Sequence, residues 1–171
     1  MDEPRHATLP TALGDLSLSA DGKALTGLYF PGHWHPPTAE QLGVEVEPDA
    51  DPLLARARDQ LTEYLAGERR EFDLPLRTGG DDFSERVWAL LCEIPYGATT
   101  TYGALAERLG SRGLAQRVGQ CVGRNPLSIL VPCHRVVGAD GSLTGYAGGL
   151  ERKRTLLELE EPAERSAERL F

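Results

Sequence analysis

The segment ILVPCHRVVG, residues 129–138, places a cysteine and a histidine side by side behind a branched apolar run and a proline. A cysteine in this setting could ligate a metal, form half of a disulfide, pack as a core thiol or act as a nucleophile. A thiol attacks as its thiolate, which a nearby base or positive dipole favours. Cys133 and His134 are therefore the first candidates for chemistry in this chain.

Two of these roles find little support elsewhere in the sequence. The three cysteines, Cys92, Cys121 and Cys133, show no CxxC spacing, whereas a structural zinc site needs four Cys or His ligands. Three cysteines also do not make a disulfide framework. The sequence predicts no metal site, and both a reactive thiol and a buried structural thiol stay open for Cys133. Cys92 and Cys121 lie in helical patterns and are expected in the core.

A reactive Cys133 needs neighbours that hold and ionise it. Adjacent side chains of an extended segment point to opposite faces, so we expect a bridging water between Cys133 and His134 and no direct hydrogen bond. His134 then needs an acceptor, which an acid of the C-terminal segment RTLLELEEP could supply. Pro132 fixes its own φ and biases Val131 to an extended shape, which helps to hold the cysteine in place.

The elements around this segment are mainly helical. DDFSERVWALLCEI predicts a helix with one apolar stripe. A threonine cap then predicts a helix of about nine residues, and the turn GSRG leads to a second helix that ends at Asn125-Pro126. Two helices joined by a short glycine turn have the shape of a helix-turn-helix, but ordinary helical hairpins share it.

The N-terminal half shows strands and one helix. GDLSLSA and ALTGLYF alternate apolar and polar residues around a DG turn and predict a β-hairpin. Residues 31–52 are Pro-rich and acidic and predict a long irregular connection. DPLLARARDQLTEYLAG predicts a helix that stops at Gly67, and REFDLPL predicts a short strand. The polar RTGGDD segment predicts a boundary near residue 80, hence domains of 1–80 and 81–171.

Composition narrows the class of protein. A chain with 40% apolar and 26% charged residues is ordinary for a soluble globular protein. No apolar run approaches the roughly 20 residues that a membrane span needs. The first twenty residues carry three acids and no long apolar core, so no signal peptide is predicted and a cytoplasmic protein is expected.

Charge is unevenly distributed along the chain. The net charge of -8 argues against nucleic acid, and residues 1–85 hold 17 acidic and 7 basic side chains. Residues 101–135, in contrast, hold five arginines against one acid. Such a basic stretch can contact phosphates locally, and a solvated face is the alternative. The five arginines are Arg108, Arg112, Arg117, Arg124 and Arg135.

Several of these motifs together resemble one family. PCHRVVG, with NP at 125–126 before it and GYAGGLERKRTLLELE after it, is similar to the methylated-DNA–protein-cysteine S-methyltransferases, the O6-alkylguanine-DNA alkyltransferases. FSERVWALLCEIPYGATTTYGALA matches their pattern too, so the resemblance runs from about Phe83 to Glu160. It implies an α+β fold, with a small ribonuclease H-like sheet-plus-helix domain packed on a helical domain that carries a winged helix-turn-helix.

The resemblance also implies a function. Such a protein binds duplex DNA through the minor groove and rotates a damaged guanine out of the stack. Cys133 then takes the alkyl group from O6 once and irreversibly, because the thioether has no acyl carbon for water to attack. This is DNA repair by direct reversal, with O4-alkylthymine open as a second substrate. The resemblance implies no cofactor and no membrane partner, and a monomer is expected, with cooperative binding on DNA left open.

The same match assigns roles to individual residues. Glu160 would orient His134, His134 would deprotonate Cys133 through a water, and Tyr102 would donate its proton to the leaving guanine. The pocket wall and the contacts to the guanine edge fall on Val136, Tyr146 and Ala147. Asn125 and Pro132 would brace the Cys133 segment, and the DNA contacts fall on Ala115, Gln116, Arg117 and Arg124.

The chain departs from the family at one position. The family carries an arginine, in an RAVG pattern, that fills the gap left by the flipped base, whereas here Gln116 occupies that place and Arg117 follows it. One step along a helix rotates a side chain by about 100°, so Arg117 is not expected to substitute. We therefore predict weaker support for base flipping. Two other functions stay as alternatives: a damage-sensing alkyltransferase-like protein, which lacks the acceptor cysteine, and an unrelated cysteine hydrolase.

Overall fold

The N-terminal part of the computed structural model, which describes residues 3–161, is a four-stranded sheet with one long helix. The sheet order is β3-β2-β1-β4, antiparallel except for the β1–β4 pair. Ala7 pairs with Leu18 and Leu9 pairs with Leu16, so that these apolar side chains share the buried face. The strands are β1 (Arg5–Thr11), β2 (Gly14–Asp21), β3 (Ala24–Tyr29) and β4 (Val44–Glu45).

The structure confirms the predicted β2–β3 hairpin and adds elements that the sequence did not indicate. Strand β1 escaped prediction because its alternation rests on Ala7 and Leu9 alone and Pro10 interrupts it. The predicted irregular connection, 31–52, contains helix α1 (Ala39–Leu42) as well as β4. A reciprocal capping box between Thr38 and Gln41 starts α1, and this pattern is visible in the sequence as TAEQ.

Helix α2 (Pro52–Leu65) covers the sheet and is confirmed as predicted. Its N-cap, Asp51, accepts hydrogen bonds from two backbone amides of the first turn and also forms a buried ion pair with Arg5 of β1. Gly67 lies just beyond the helix at φ 79°, the left-handed conformation that glycine adopts without strain. The buried side of the helix packs Leu54, Ala57, Leu61 and Tyr64 against the strands.

The strand predicted for residues 70–76 is wrong. This segment makes only an isolated bridge between Leu76 and Leu25, where Leu25 donates to the Pro75 carbonyl over 2.8 Å. Pro75 has no N–H and cannot extend a ladder. Gln60 of α2 binds the backbone N–H and carbonyl of Asp73 instead, so side-chain hydrogen bonds replace strand pairing here.

The C-terminal part is helical, as predicted. Asp81 caps the helix that carries Trp88, whose indole Nε1 donates to the Cys121 carbonyl over 2.8 Å and joins two helices. Cys121 is buried as expected, whereas Cys92 is exposed because it lies on the solvent side of its helix. The helices are α3 (Asp82–Cys92), α4 (Tyr102–Arg108), α5 (Ala115–Gly123) and α6 (Leu150–Glu160), and a short parallel pair joins β5 (Thr100–Thr101) to β6 (Val136–Val137).

The two parts share one continuous core. Leu28 of β3 donates its backbone N–H to the Pro126 carbonyl over 2.8 Å, just after α5. The rings of Phe30 and Tyr146 meet edge to face at 5.8 Å. The chain therefore has a two-domain α+β fold, with a sheet domain packed against a helical domain. Among the helices within residues 3–161, none is both long and apolar enough to cross a membrane.

Candidate active site

Cys133 opens a single 3-10 turn, Cys133–Arg135, which leads into β6. The extended backbone expected at Cys133 and His134 is therefore replaced by a turn. Cys133 is only 4% exposed, and every residue from 127 to 137 is buried. The thiol is part of the continuous hydrophobic core that both domains share.

Asn125 holds the loop that precedes this turn. Its amide Nδ2 donates to the Val131 carbonyl over 2.8 Å, and its Oδ1 accepts the Leu127 amide over 3.0 Å. Between these contacts Ile129 adopts a φ of 72°, which costs a β-branched residue on the order of 1–3 kcal/mol. The Asn125 bonds and the burial of Ile129 offset this strain. The loop thus depends on Asn125, as expected of a residue that braces the Cys133 segment, and Pro132 ends it.

His134 and Glu160 form a buried pair. The His134 Nε2 lies 2.8 Å from a Glu160 oxygen, and both residues are at most 2% exposed. Arg135 donates to both oxygens of the same carboxylate, over 2.7 and 2.9 Å, and the Tyr64 hydroxyl of α2 donates to it as well. Burial alone would raise the pKa of Glu160, but the hydrogen bonds from His134 and Arg135 outweigh it and lower the pKa to about 2.

The charge on Glu160 fixes the proton on His134. An ionised carboxylate only accepts hydrogen bonds, so His134 must carry its proton on Nε2. Burial lowers the pKa of His134, although Glu160 opposes this effect, and the ring is neutral at physiological pH. The remaining nitrogen, Nδ1, is buried and has no protein hydrogen-bond partner within the described residues. His134 therefore holds a basic lone pair available for a proton.

The Cys133 thiol is protonated at rest. Burial raises the pKa of Cys133 to about 11, against smaller opposing effects of Asn125 and the Lys153 charge. Because only the thiolate is nucleophilic, a base must remove the proton when substrate is present. His134 is the neighbouring group whose protonation state suits this task.

Three residues of the site were missed or left open by sequence reasoning. Arg135 is 7% exposed and also donates to the Ile94 carbonyl over 2.6 Å, so it serves the buried carboxylate and not a phosphate. Tyr64 reaches Glu160 across 96 residues of sequence. Lys153 is fully buried although it lies in the basic segment ERKR, and its Nζ donates to the Thr144 carbonyl over 2.9 Å. Of these three residues, only Arg135 could have been recognised from the sequence, because it lies inside the PCHRVVG motif.

Of the three residues predicted to form the pocket wall, Tyr146 lies beside the Cys133 thiol. Val136, Tyr146 and Ala147 are all buried. Burial and the nearby Cys133 raise the pKa of the Tyr146 phenol well above its usual range. The backbone of Trp34 in the N-terminal domain donates to the Ala147 carbonyl over 3.0 Å. The loop of residues 138–149 is thus held from both domains.

Tyr102 is the first residue of α4, directly after its N-cap Thr101. Its ring passes close to Gly119 of α5, where an added Cβ would lie 3.6 Å from the ring edge. The Tyr102 oxygen accepts a hydrogen bond from the Thr144 hydroxyl over 2.9 Å. The phenol group therefore lies between the helix pair and the loop of residues 138–149.

The four residues predicted to contact DNA differ in their exposure to solvent. Gln116, Arg117 and Arg124 are exposed on α5 and its cap, and Ala115 is half-buried. The Arg117 guanidinium stacks over the Phe83 ring at 3.8 Å, which directs it toward α3 and away from the Gln116 position. Two other arginines of the basic stretch form surface ion pairs, Arg108 with Glu93 and Arg112 with Glu107.

Fold and site together define a two-domain protein in which a cysteine, a histidine and a glutamate are buried against a pair of helices. Sequence profiles agree: the ribonuclease-like domain of 6-O-methylguanine DNA methyltransferase matches residues 5–78, and the DNA binding domain of the same protein matches residues 82–162. The chain belongs to the 6-O-methylguanine DNA methyltransferase family. The resemblance seen in the C-terminal sequence is confirmed and extends into the N-terminal half.

Individual relatives cover nearly the whole chain. A methylated-DNA–protein-cysteine methyltransferase of Mycobacterium tuberculosis is 45% identical over 164 residues, which cover 91% of this chain and 92% of that protein. One of Methanosarcina acetivorans is 51% identical over 159 residues, covering 91% and 97%. The crystal structure of Mycobacterium tuberculosis OGT in complex with DNA is 45% identical, covers 92% of each chain and superposes with a TM-score of 0.82.

Proposed function

We propose that this protein repairs DNA by transferring the alkyl group of O6-alkylguanine to the sulfur of Cys133. The observation that carries the proposal is the buried Cys133, His134 and Glu160 constellation in a chain whose relatives are named methylated-DNA–protein-cysteine methyltransferases. No metal-binding group of three or more acidic, His or Cys side chains occurs within residues 3–161.

The transfer follows from the protonation states of the site. The Cys133 proton passes through a water to Nδ1 of His134, while Glu160 stabilises the cation that forms. The thiolate attacks the alkyl carbon, the S–C bond forms, and the C–O6 bond breaks with its electron pair moving to the guanine. Tyr102 supplies a proton to the leaving base as this charge builds. The thioether product offers no carbonyl to water, so each molecule reacts once.

The substrate base must uncover the thiol before it reacts. Cys133 is nearly closed off, and Tyr146 of the 138–149 loop lies beside it and is itself buried. That loop contains no helix or strand and includes four glycines before Gly149. Displacement of this loop by an extrahelical base would open the pocket, whereas the closed loop would slow the reaction of the resting thiol with other electrophiles.

DNA binding is assigned to the helix pair. In our proposal α4 and α5 form the helix-turn-helix, α5 enters the minor groove with Ala115, Gln116, Arg117 and Arg124, and the β5–β6 pair takes the place of the wing. The N-terminal domain, residues 1–80, is a ribonuclease H-like variant, and the helical domain comprises 81–171, of which 162–171 lie outside the described residues. A monomer binds the duplex. The crystal structure of the similar mycobacterial protein in complex with DNA supports DNA as the binding partner.

Intact mass tests the proposal directly. The protein is incubated with a duplex that contains one O6-methylguanine, and a gain of one CH2 is expected that maps to Cys133 and is lost in Cys133→Ser. Binding without any mass gain would favour the damage-sensing alternative. Repeated turnover by unmodified protein would favour a cysteine hydrolase. Either outcome would overturn the transferase.

A further inference from the structure

Thr144 connects two parts of the site, and the proposed mechanism gives this residue no role. Its hydroxyl donates to the Tyr102 oxygen over 2.9 Å, and its backbone carbonyl accepts Nζ of Lys153 over 2.9 Å. Tyr102 begins α4 and Lys153 lies in the second turn of α6. One loop residue therefore joins the helix pair to the helix whose other end carries Glu160.

Lys153 gives this loop residue a fixed position. The lysine is 0% exposed, and a buried ammonium is costly unless it is hydrogen-bonded. Its Nζ donates to the Thr144 carbonyl, so pulling Thr144 away would leave a buried charge without that hydrogen bond. The backbone of Thr144 is thus restrained even though the surrounding 138–149 loop has no regular secondary structure.

The direction of the Thr144 hydrogen bond matters for the chemistry at Tyr102. A phenol oxygen can donate one hydrogen bond and accept others. Because the Thr144 hydroxyl fills an acceptor position, the Tyr102 O–H remains available for another partner. A hydrogen bond to an ionised oxygen is stronger than one to a neutral oxygen, so the Thr144 bond strengthens as the phenol loses its proton.

We propose that Thr144 is a positioning residue for the transfer reaction: it orients the Tyr102 proton toward the leaving guanine and stabilises the phenolate as that proton departs. In this step the Tyr102 O–H bond breaks, an N–H bond forms on the guanine, and the electron pair stays on the phenol oxygen. Solvent returns the proton after the base leaves. The inference rests on the proposed alkyl transfer and adds a residue to it.

A purely structural role for Thr144 makes a different prediction. If the residue only closes the loop, its removal slows the reaction whether or not residue 102 carries a hydroxyl. If it acts through the phenol, its removal has no effect once the phenol oxygen is gone. A double-mutant cycle with Tyr102→Phe separates the two cases.

The experiment measures single-turnover transfer from an O6-methylguanine duplex. Thr144→Val keeps the shape and removes the hydroxyl, and Thr144→Ser keeps the hydroxyl. We expect Thr144→Val to slow transfer about tenfold, which is about 1.4 kcal/mol of transition-state stabilisation, and Thr144→Ser to stay near wild type. In the Tyr102→Phe background, Thr144→Val is expected to change nothing further.

Each other outcome has a defined meaning. Equal rates for wild type and Thr144→Val, or an equal loss in the Tyr102→Phe background, would overturn the role of Thr144. A wild-type protein that is never alkylated would overturn the proposed function instead. DNA affinity, measured by titration with unmodified duplex, is expected to be the same in all variants. Should Thr144→Val fail to fold, Thr144→Ala provides the same comparison.

Discussion

Acid should unfold this protein largely through Glu160, and the variant Glu160→Gln tests this. The pKa of Glu160 is about 2 in the folded protein, against an ordinary value of 4.5. A carboxyl group with a depressed pKa adds stability that is fully present above its unfolded-state pKa. That stability disappears as the pH falls from about 5 toward 2, because protons then bind the unfolded chain more tightly.

The size of the effect follows from the pKa difference. At 1.36 kcal/mol per pKa unit, a shift of this size corresponds to about 3 kcal/mol of unfolding free energy. Glu160→Gln also leaves Arg135 as a buried charge without its carboxylate partner, which costs several kcal/mol at every pH. The variant should therefore be less stable at pH 7 and should also depend less steeply on pH.

Urea unfolding at pH 7, 5, 4 and 3 measures both properties. The difference in unfolding free energy between wild type and Glu160→Gln should shrink by about 2 kcal/mol between pH 7 and pH 3, because pH 3 still lies above the folded-state pKa of Glu160. Other acids of the chain contribute equally to both proteins and cancel in this difference. A constant difference across the range would refute the reasoning, because Glu160 would then titrate alike in the folded and unfolded states.

Three further predictions concern single residues. Tyr64→Phe removes one hydrogen bond to an ionised carboxylate and should lower the unfolding free energy, measured by urea titration, by about 2 kcal/mol. The control Tyr96→Phe loses a neutral hydrogen bond to a carbonyl and should lower it by about half of that. Equal losses in the two variants would contradict a hydrogen bond from Tyr64 to an ionised Glu160. Gln116→Arg should speed transfer from duplex DNA about three- to tenfold without changing the rate with free O6-benzylguanine, and no gain over Gln116→Ala on duplex would count against the role of position 116. Alkylation of Cys133 by iodoacetamide, followed by peptide mass spectrometry, should rise about tenfold per pH unit from pH 7 to 9, because its pKa is about 11; a plateau in this range would show a lower pKa.

Local patterns explain which parts of the fold could be predicted. The helices α2 to α5 carry apolar stripes and caps such as Asp51 and Asp81, and these features depend on neighbouring residues only. Strand β1 depends on its partner for stability, and its own seven residues alternate weakly. The 70–76 segment has strand-like composition, but Gln60 of the preceding helix satisfies part of its backbone. The prediction of secondary structure failed where tertiary contacts decide whether an element forms.

The same distinction applies to the site. The motif around Cys133 indicated His134, and the family pattern indicated Glu160, because their types and positions are written in the sequence. Tyr64 and Thr144 carried no such indication, since one reaches its partner across 96 residues and the other across 42. The burial of Lys153 could not be predicted either, because its segment ERKR has the composition of a charged surface.

The N-terminal domain helps to hold the Glu160 carboxylate, to which the proposed mechanism gives the role of orienting His134. Tyr64 is fully buried on α2 and donates to Glu160, and Glu160 in turn fixes the proton of His134. Glu160 ends α6, so without the sheet domain its carboxylate would lose one donor and part of its cover from water. A weaker and more hydrated carboxylate would orient His134 less firmly, and the Cys133 proton would lose its acceptor. In the proposed mechanism the DNA-binding half therefore depends on the sheet domain for the ionisation of its thiol.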